Sequence, residues 1–162
     1  MMKGQAGFEF YAAILLFVIA ITYVFFQITT AFPKGLEEIR RQTLLSEAFQ
    51  ISEILIKDAG EPNDWYLNVS NAKRIGLANE SFSQLGIISF RKSKVVNDTC
   101  NLNYTLFKKL LGLNYDVGIL LKHENVPIIN CTRPYSGIYV AKISRIVSFE
   151  NRSYGELTVW VY

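Results

Sequence analysis

The chain has 162 residues, of which 50% are hydrophobic, and its formal net charge is +3 at pH 7. The basic residues are scattered, and the densest group, Arg91-Lys92-Ser93-Lys94, predicts a solvated turn rather than a nucleic-acid surface. The single histidine, His123, lies in the run Lys122-His123-Glu124-Asn125, which has the polarity of a loop. No metal-type cysteine spacing, phosphate-binding glycine loop or nucleophile elbow is present in the sequence. We therefore expect no enzyme activity, no cofactor and no metal.

A long apolar segment follows a short polar start at the N-terminus. Residues 8–28 contain Glu9 as their only charged side chain. As a helix that rises 1.5 Å per residue, this segment spans about 31 Å, the thickness of a bilayer's hydrocarbon core. An ordinary secretory signal has an apolar core of only about 7–15 residues and a small-x-small exit. We therefore predict a retained transmembrane helix over residues 8–28.

Glu9 is a charged side chain inside this apolar segment. A charge costs of order 2.5–3.5 kcal/mol at the bilayer centre and less near an end, so such residues usually have a partner. Glu9 can be an interfacial acid that complements the helix dipole and stabilises the helix by about 0.3–1 kcal/mol. Alternatively, its carboxylate makes a contact with another chain. The chemistry of the residue alone leaves both interpretations open.

The motif Lys3-Gly4-Gln5, with Glu9 on the fifth residue from Gln5, resembles the class III signal sequence of archaeal type IV pilin-like proteins. In that family a prepilin peptidase cuts between the glycine and the glutamine, and the apolar helix stays on the mature protein. The resemblance implies that residues 1–4 are a leader and that Gly4 and Gln5 flank the cut. It also implies that Glu9 registers each subunit on its neighbour during filament assembly.

Beyond the apolar segment, Pro33-Lys34-Gly35 predicts a kink or a short break in the helix, because proline removes a backbone donor and clashes with the preceding turn. Helical periodicity resumes after it, with one apolar stripe and three further apolar residues beside the stripe. The stripe residues are Leu44, Ala48, Ile51 and Leu55, and those beside it are Leu45, Phe49 and Ile56. Gly60 and Pro62 predict the end of this helix, which we place over residues 5–60 with a kink near 33–35.

Residues 61–162 alternate apolar stretches with turns, which predicts a globular head. Strands are expected at 86–90, 115–122, 139–149 and 157–162, with a helix at 104–113 and a hairpin turn at 150–155. An antiparallel sheet with one small helix, laid on the long helix, would cover both hydrophobic faces. The predicted fold class is therefore α+β, a long N-terminal transmembrane helix that continues into a head with an antiparallel β-sheet.

The head carries two features of an exported domain. Cys100 and Cys131 allow a single intrachain pairing, which we interpret as a disulfide, with two buried free thiols as the alternative. Six Asn-x-Ser/Thr sequons are also present, where composition predicts about one. The acceptor residues are Asn68, Asn79, Asn97, Asn103, Asn130 and Asn151.

Orientation in the membrane follows from weighing these features against the positive-inside rule. Lys34, Arg40 and Arg41 follow the span and Lys3 precedes it, so the rule mildly opposes a cytoplasmic N-terminus. The cysteines and the sequons all lie beyond the span, and we give them more weight. The expectation is a single-pass protein with a cytoplasmic N-terminus and an extracellular head over residues 61–162.

Together these observations predict a minor pilin or pseudopilin-like subunit that is held in the membrane until it enters a surface filament. Its expected partners are other pilin subunits, the prepilin peptidase and the membrane, with no nucleic acid. The leading alternative is a monomeric, membrane-anchored, glycosylated ectodomain that binds a ligand or a surface and does not polymerise. An anchored enzyme is the third possibility.

Overall fold

The computed structural model describes residues 5–80, 86–132 and 140–162, without the side chains of residues 5–7 and 32–34. The chain divides into two compact units, Met1–Arg40 and Arg41–Tyr162. A single helix, α1 (Gln5–Lys57), contributes to both units. The second unit also holds the sheet and the two shorter helices.

The apolar part of α1 has no packed core of its own. Its most apolar 18-residue window has a mean hydropathy of 2.3, and none of that window is buried in the chain. The Thr22 hydroxyl donates to the Val18 carbonyl at 2.8 Å, so this polar group is satisfied inside the helix. Among the described residues, this is the one helix long and apolar enough to cross a membrane, judged by length and composition.

The predicted break near residues 33–35 is absent, because α1 is continuous from Gln5 to Lys57. Proline inside a helix costs about 3 kcal/mol but removes only one backbone hydrogen bond. The helix-forming sequence on both sides of Pro33 is long enough to offset that local cost. A bend without a break stays a prediction.

The apolar stripe predicted on the second half of α1 is confirmed. Each of its four residues is 5% exposed or less: Leu44, Ala48, Ile51 and Leu55. Of the residues predicted beside the stripe, Ile56 is buried, whereas Leu45 and Phe49 are 43% and 50% exposed. The core therefore takes a narrower face of α1 than the sequence pattern suggested.

The end of α1 is fixed by a glycine that contacts a buried tryptophan. Gly60 has a φ of +88°, and a Cβ at this position would lie 2.3 Å from the Trp65 indole. The Trp65 Nε1–H donates to the Ala59 carbonyl at 3.0 Å, and Trp65 is 1% exposed. Glycine is required here because no other residue offers both that backbone conformation and that clearance.

Five strands form one sheet in the order β1-β4-β5-β2-β3. Their bounds are β1 Ile87–Ile88, β2 Val117–His123, β3 Val126–Cys131, β4 Ala141–Phe149 and β5 Tyr154–Val161. The prediction of an antiparallel sheet is wrong in one respect: β1 pairs with β4 in parallel, and the other pairs are antiparallel. The sheet is therefore mixed, within an α+β fold. The predicted hairpin turn between β4 and β5 is confirmed.

Strand β3 was missed because Pro127 lies in it, and proline argues against the interior of a strand. The structure resolves the conflict by placing β3 at the edge of the sheet, with a register shift between Leu121 and Lys122 opposite it. Proline is tolerated at such positions because the missing N–H is not needed by a neighbouring strand.

Two helices lie between strands β1 and β2, and the sequence predicted only the second. Helix α3 (Tyr104–Leu111) confirms the predicted helix and ends at Gly112 in a left-handed conformation. Helix α2 (Phe90–Leu102) was not predicted, because most of its residues are polar and its few apolar residues do not show a clear helical repeat. Contacts from α1 and α2 reach the same face of the sheet, where Arg145 meets Glu53 and Phe149 stacks on Phe90.

Candidate functional site

The predicted processing and assembly residues fall at the N-terminal end of α1. Gly4 lies outside the described residues, and Gln5 is the first residue of α1. Glu9 is exposed one turn further along, between Phe8 and Phe10, which are 77% and 63% exposed. In a membrane, the surroundings of Glu9 are therefore set by lipid or by another chain and not by a core of this chain.

The disulfide predicted between Cys100 and Cys131 is confirmed. Their Cα atoms are 5.9 Å apart, within the usual range of about 4.4–6.8 Å, and both residues are nearly fully buried. The bridge joins α2 to the edge strand β3. Cys131 points into the core, whereas its neighbour Asn130 is exposed, since successive strand residues face opposite ways.

Loss of this disulfide is expected to lower the free energy of unfolding by about 3–4 kcal/mol, because it closes a loop of some thirty residues in the unfolded chain. The comparison is between the wild type and the double variant Cys100→Ala/Cys131→Ala, unfolded with urea in detergent. A reductant should lower the stability of the wild type and leave that of the double variant unchanged. Equal stabilities without reductant would contradict the prediction.

All six predicted sequon asparagines lie in the second unit, but in different surroundings. Four are exposed: Asn68, Asn103, Asn130 and Asn151. The other two, Asn79 and Asn97, are half-buried. The structure thus separates positions that the sequence motif treats as equivalent.

His123 is the last residue of β2 and not part of a loop, as its polar neighbours had suggested. Its ring packs edge-on against Phe90 and Phe149, and Nε2 is 2.5 Å from the Ser153 hydroxyl oxygen. The Glu124 carboxylate lies 3.9 Å from the same Nε2 atom, so it does not orient the ring through Nδ1 as in a catalytic triad. The contacts of His123 join the β4–β5 turn to the core.

Lys92 is buried, and the predicted solvated turn at residues 91–94 is wrong. These residues form the first turns of α2, and Lys92 is 2% exposed. Its ammonium group donates to the carbonyls of Ala59 at 2.7 Å and Ala78 at 3.1 Å, with the Glu80 carboxylate at 3.7 Å. Lys92 thereby ties the segment after α1 to the segment before β1.

Burial is the main influence on the Lys92 amine. It lowers the pKa of Lys92, because the charged form loses hydration, while the Glu80 carboxylate acts in the opposite direction. The Nζ atom also lies 5.7 Å from the centre of the Tyr66 ring. A polar cavity of about 360 Å³ opens beside these groups, with Arg91 and Glu150 also in its wall.

The sequence did contain a signal for the burial of Lys92. Lys92, Val96 and Cys100 recur at a spacing of four, so they share one face of a helix. Val96 and Cys100 are both buried, as that pattern implies. The charge on Lys92 hid the pattern, because lysine is almost never fully buried unless it is paired.

A second charged contact fixes α1 to the sheet. Glu53 on α1 pairs with Arg145 on β4 and with Lys57 one turn along the helix. Hydrogen bonds from Lys57 and Arg145 lower the pKa of Glu53. The Arg145 guanidinium also lies 5.3 Å from the centre of the Phe49 ring, which accounts for an aromatic side chain outside the core.

Across the part of the chain that the structure describes, no group of three or more His, Cys, Asp or Glu side chains is arranged to hold a metal ion. Comparisons with protein-family models, with curated proteins and with solved structures found no match to this chain.

Proposed function

We propose that this protein is a structural subunit, of the minor pilin or pseudopilin kind, of an archaeal type IV pilus-like surface filament. The observation that carries the proposal is the motif Lys3-Gly4-Gln5 with Glu9, located where the apolar helix α1 begins. The most apolar 18-residue window of that helix is not buried in the isolated chain. An apolar surface of this length needs either lipid or other helices around it. A filament subunit uses both in turn, first in the membrane and then in the filament core.

The head supports the proposal in a weaker way. The second half of α1 packs its stripe into the core of the head, so the same helix that carries the apolar segment also carries the folded domain. The head contains a disulfide, and disulfides form and persist in an oxidising exterior. These features are equally expected of a membrane-anchored ectodomain, so the N-terminus must decide between the two.

The mass of the mature N-terminus distinguishes the two candidates. A processed filament subunit begins at Gln5, whereas an unprocessed anchor keeps Met1 or Met2. Intact-mass measurement and N-terminal peptide mapping of the native protein give this directly. A mature protein that retains residues 1–4 would contradict the filament proposal and favour the monomeric anchor.

Gly4→Val is expected to leave the precursor uncut. The proposed cut follows Gly4, and we expect the peptidase cleft to take the extended backbone of a residue without a side chain. Co-expression with a prepilin peptidase should shorten the wild type by residues 1–4 and leave the variant at full length. The measurement is intact mass.

Gly7→Ala is the matched control for Gly4→Val, since it alters a glycine on the far side of the proposed cut. This variant should be shortened like the wild type. Cleavage of Gly4→Val after residue 4, or a wild type that the peptidase never shortens, would show that the signal interpretation is wrong.

A further inference from the structure

N-glycosylation joins a sugar to the Nδ2 atom of asparagine and adds a bulky group at the surface. The modified nitrogen keeps one N–H and can no longer serve two acceptors. A sequon in a folded protein is therefore compatible with a glycan when Nδ2 faces solvent, and the Oδ1 atom remains available as an acceptor. The six sequons of the head differ in this respect.

Four of the asparagines are exposed and use Oδ1 for local hydrogen bonds. Asn68 Oδ1 accepts from the Ser70 N–H at 3.2 Å, and Asn103 Oδ1 caps α3 by accepting from the Leu106 N–H at 3.0 Å. Asn151 Oδ1 accepts from the Ser153 N–H at 3.1 Å. The fourth, Asn130, has the same arrangement, with its Oδ1 accepting from the Thr132 hydroxyl at 3.1 Å. A glycan on Nδ2 would leave each of these bonds intact.

Asn97 also uses Oδ1 as an acceptor, but it differs from the four in accessibility, because its side chain is half-buried where α2 packs against the edge strand β3. Its Oδ1 accepts from the backbone N–H of Asn130 on the edge strand β3 at 2.9 Å. One turn along α2, Asn101 Nδ2 donates to the Asn130 carbonyl at 3.3 Å and to Asn97 Oδ1 at 3.2 Å. Both outward backbone groups of Asn130 are thereby paired, which protects an edge that could otherwise bind another strand. Asn97 is half-buried in this contact.

Asn79, unlike Asn97, is engaged through Nδ2, the atom that a glycan would modify. Its Nδ2 donates to the Glu150 carboxylate at 2.6 Å, which links the segment before β1 to the turn after β4. Asn79 is half-buried as well. A sugar would replace one of the two hydrogens on Nδ2 and would have to fit beside the Glu150 carboxylate in this half-buried contact.

We propose that the folded head carries glycans at Asn68, Asn103, Asn130 and Asn151, and that Asn79 and Asn97 are structural residues that stay unmodified. The inference rests on the exterior location of the head in the proposed function. The glycan at Asn130 lies on the edge strand, outside the disulfide, and would add to the protection of that edge.

The test uses the full-length protein expressed in a host that N-glycosylates exported proteins, with the folded, disulfide-bonded fraction analysed by intact mass and peptide mapping. Asparagine is replaced by glutamine at one sequon at a time. Each variant at Asn68, Asn103, Asn130 or Asn151 should lose the mass of one glycan. Asn79→Gln and Asn97→Gln should keep the glycan mass of the wild type.

A glycan on Asn79 or Asn97 in the folded fraction, or an unmodified residue among the four, would overturn this assignment. A head without any glycan would overturn it too, whereas the filament proposal would still be judged by whether the mature chain begins at Gln5.

The structural role of Asn97 is tested by a separate measurement of stability. Asn97→Leu should lower the midpoint of thermal unfolding by several degrees, and Asn97→Asp, which keeps the acceptor but removes the sequon, should not.

Discussion

Glu9→Ala is expected to be processed and inserted into the membrane but to be absent from filaments. In an apolar filament core a paired charge is tolerable and an unpaired one is not. Cleavage after Gly4 would free the amine of Gln5, and a neighbouring subunit could then offer that positive charge to Glu9. Without the carboxylate the incoming amine has no acceptor, so the subunit loses both its register and the energy of the pair.

The measurement is the amount of the variant in sheared, purified filaments relative to the membrane fraction. Glu37→Ala is the matched control, because Glu37 is an exposed acid on the same helix beyond the apolar segment. Glu37→Ala should enter filaments at the wild-type level. If Glu9→Ala does so too, the registering role is wrong and Glu9 is a plain interfacial acid.

A second measurement tests whether the amine of Gln5 is available to pair with Glu9. An amine at Gln5 of the same chain would lie only about 6 Å from Glu9 along the helix axis, so an intramolecular pair competes with the intermolecular one. Cyclisation of Gln5 to pyroglutamate would remove the amine altogether. We expect mature filament protein to keep an open Gln5, which N-terminal peptide mass distinguishes from the cyclised form.

Lys92→Met is expected to lower the free energy of unfolding of the head by about 2–5 kcal/mol. Methionine matches the length of the lysine stem but leaves the carbonyls of Ala59 and Ala78 without their buried donor. Lys94→Met is the matched control, since Lys94 is exposed on the same helix and its replacement should change stability by no more than about 0.5 kcal/mol. Urea unfolding of the full chain in detergent measures both variants.

The pH dependence of stability gives an independent check on Lys92. Burial lowers the pKa of its amine below the ordinary value of 10.5, so between the two pKa values the unfolded chain binds more protons than the folded chain. The free energy of unfolding therefore rises with pH in that window. The difference in stability between the wild type and Lys92→Met should widen as the pH approaches 10.5. A difference that is constant or shrinks would mean that Lys92 is not buried as described.

Several features of the fold were predictable because they depend on residues close together in the chain. The apolar length of residues 8–28 and the stripe from Leu44 to Leu55 follow from helical spacing alone, and burial of that stripe confirms it. Helix α3 follows from helical spacing too, and the turn between β4 and β5 follows from the polar residues 150–155 that separate the two strands. The pairing of Cys100 with Cys131 followed by elimination, since only one intrachain pair is possible.

Other features were decided by contacts between distant residues. The parallel pairing of β1 with β4 depends on the path of the chain between them, which no local pattern records. Strand β3 tolerates Pro127 only because it lies at the sheet edge, and edge positions are known once the strand order is known.

The sequence by itself determined the apolar helix, the position of its one carboxylate and the six sequons, because each is a property of consecutive residues. Only the tertiary structure decided that Lys92 is buried and that Asn97 and Asn130 meet. Lys92 is stable in the core because two carbonyls from separate segments reach its amine. Asn97 differs from the exposed sequons because α2 lies against β3, where its side chain completes the hydrogen bonding of the sheet edge.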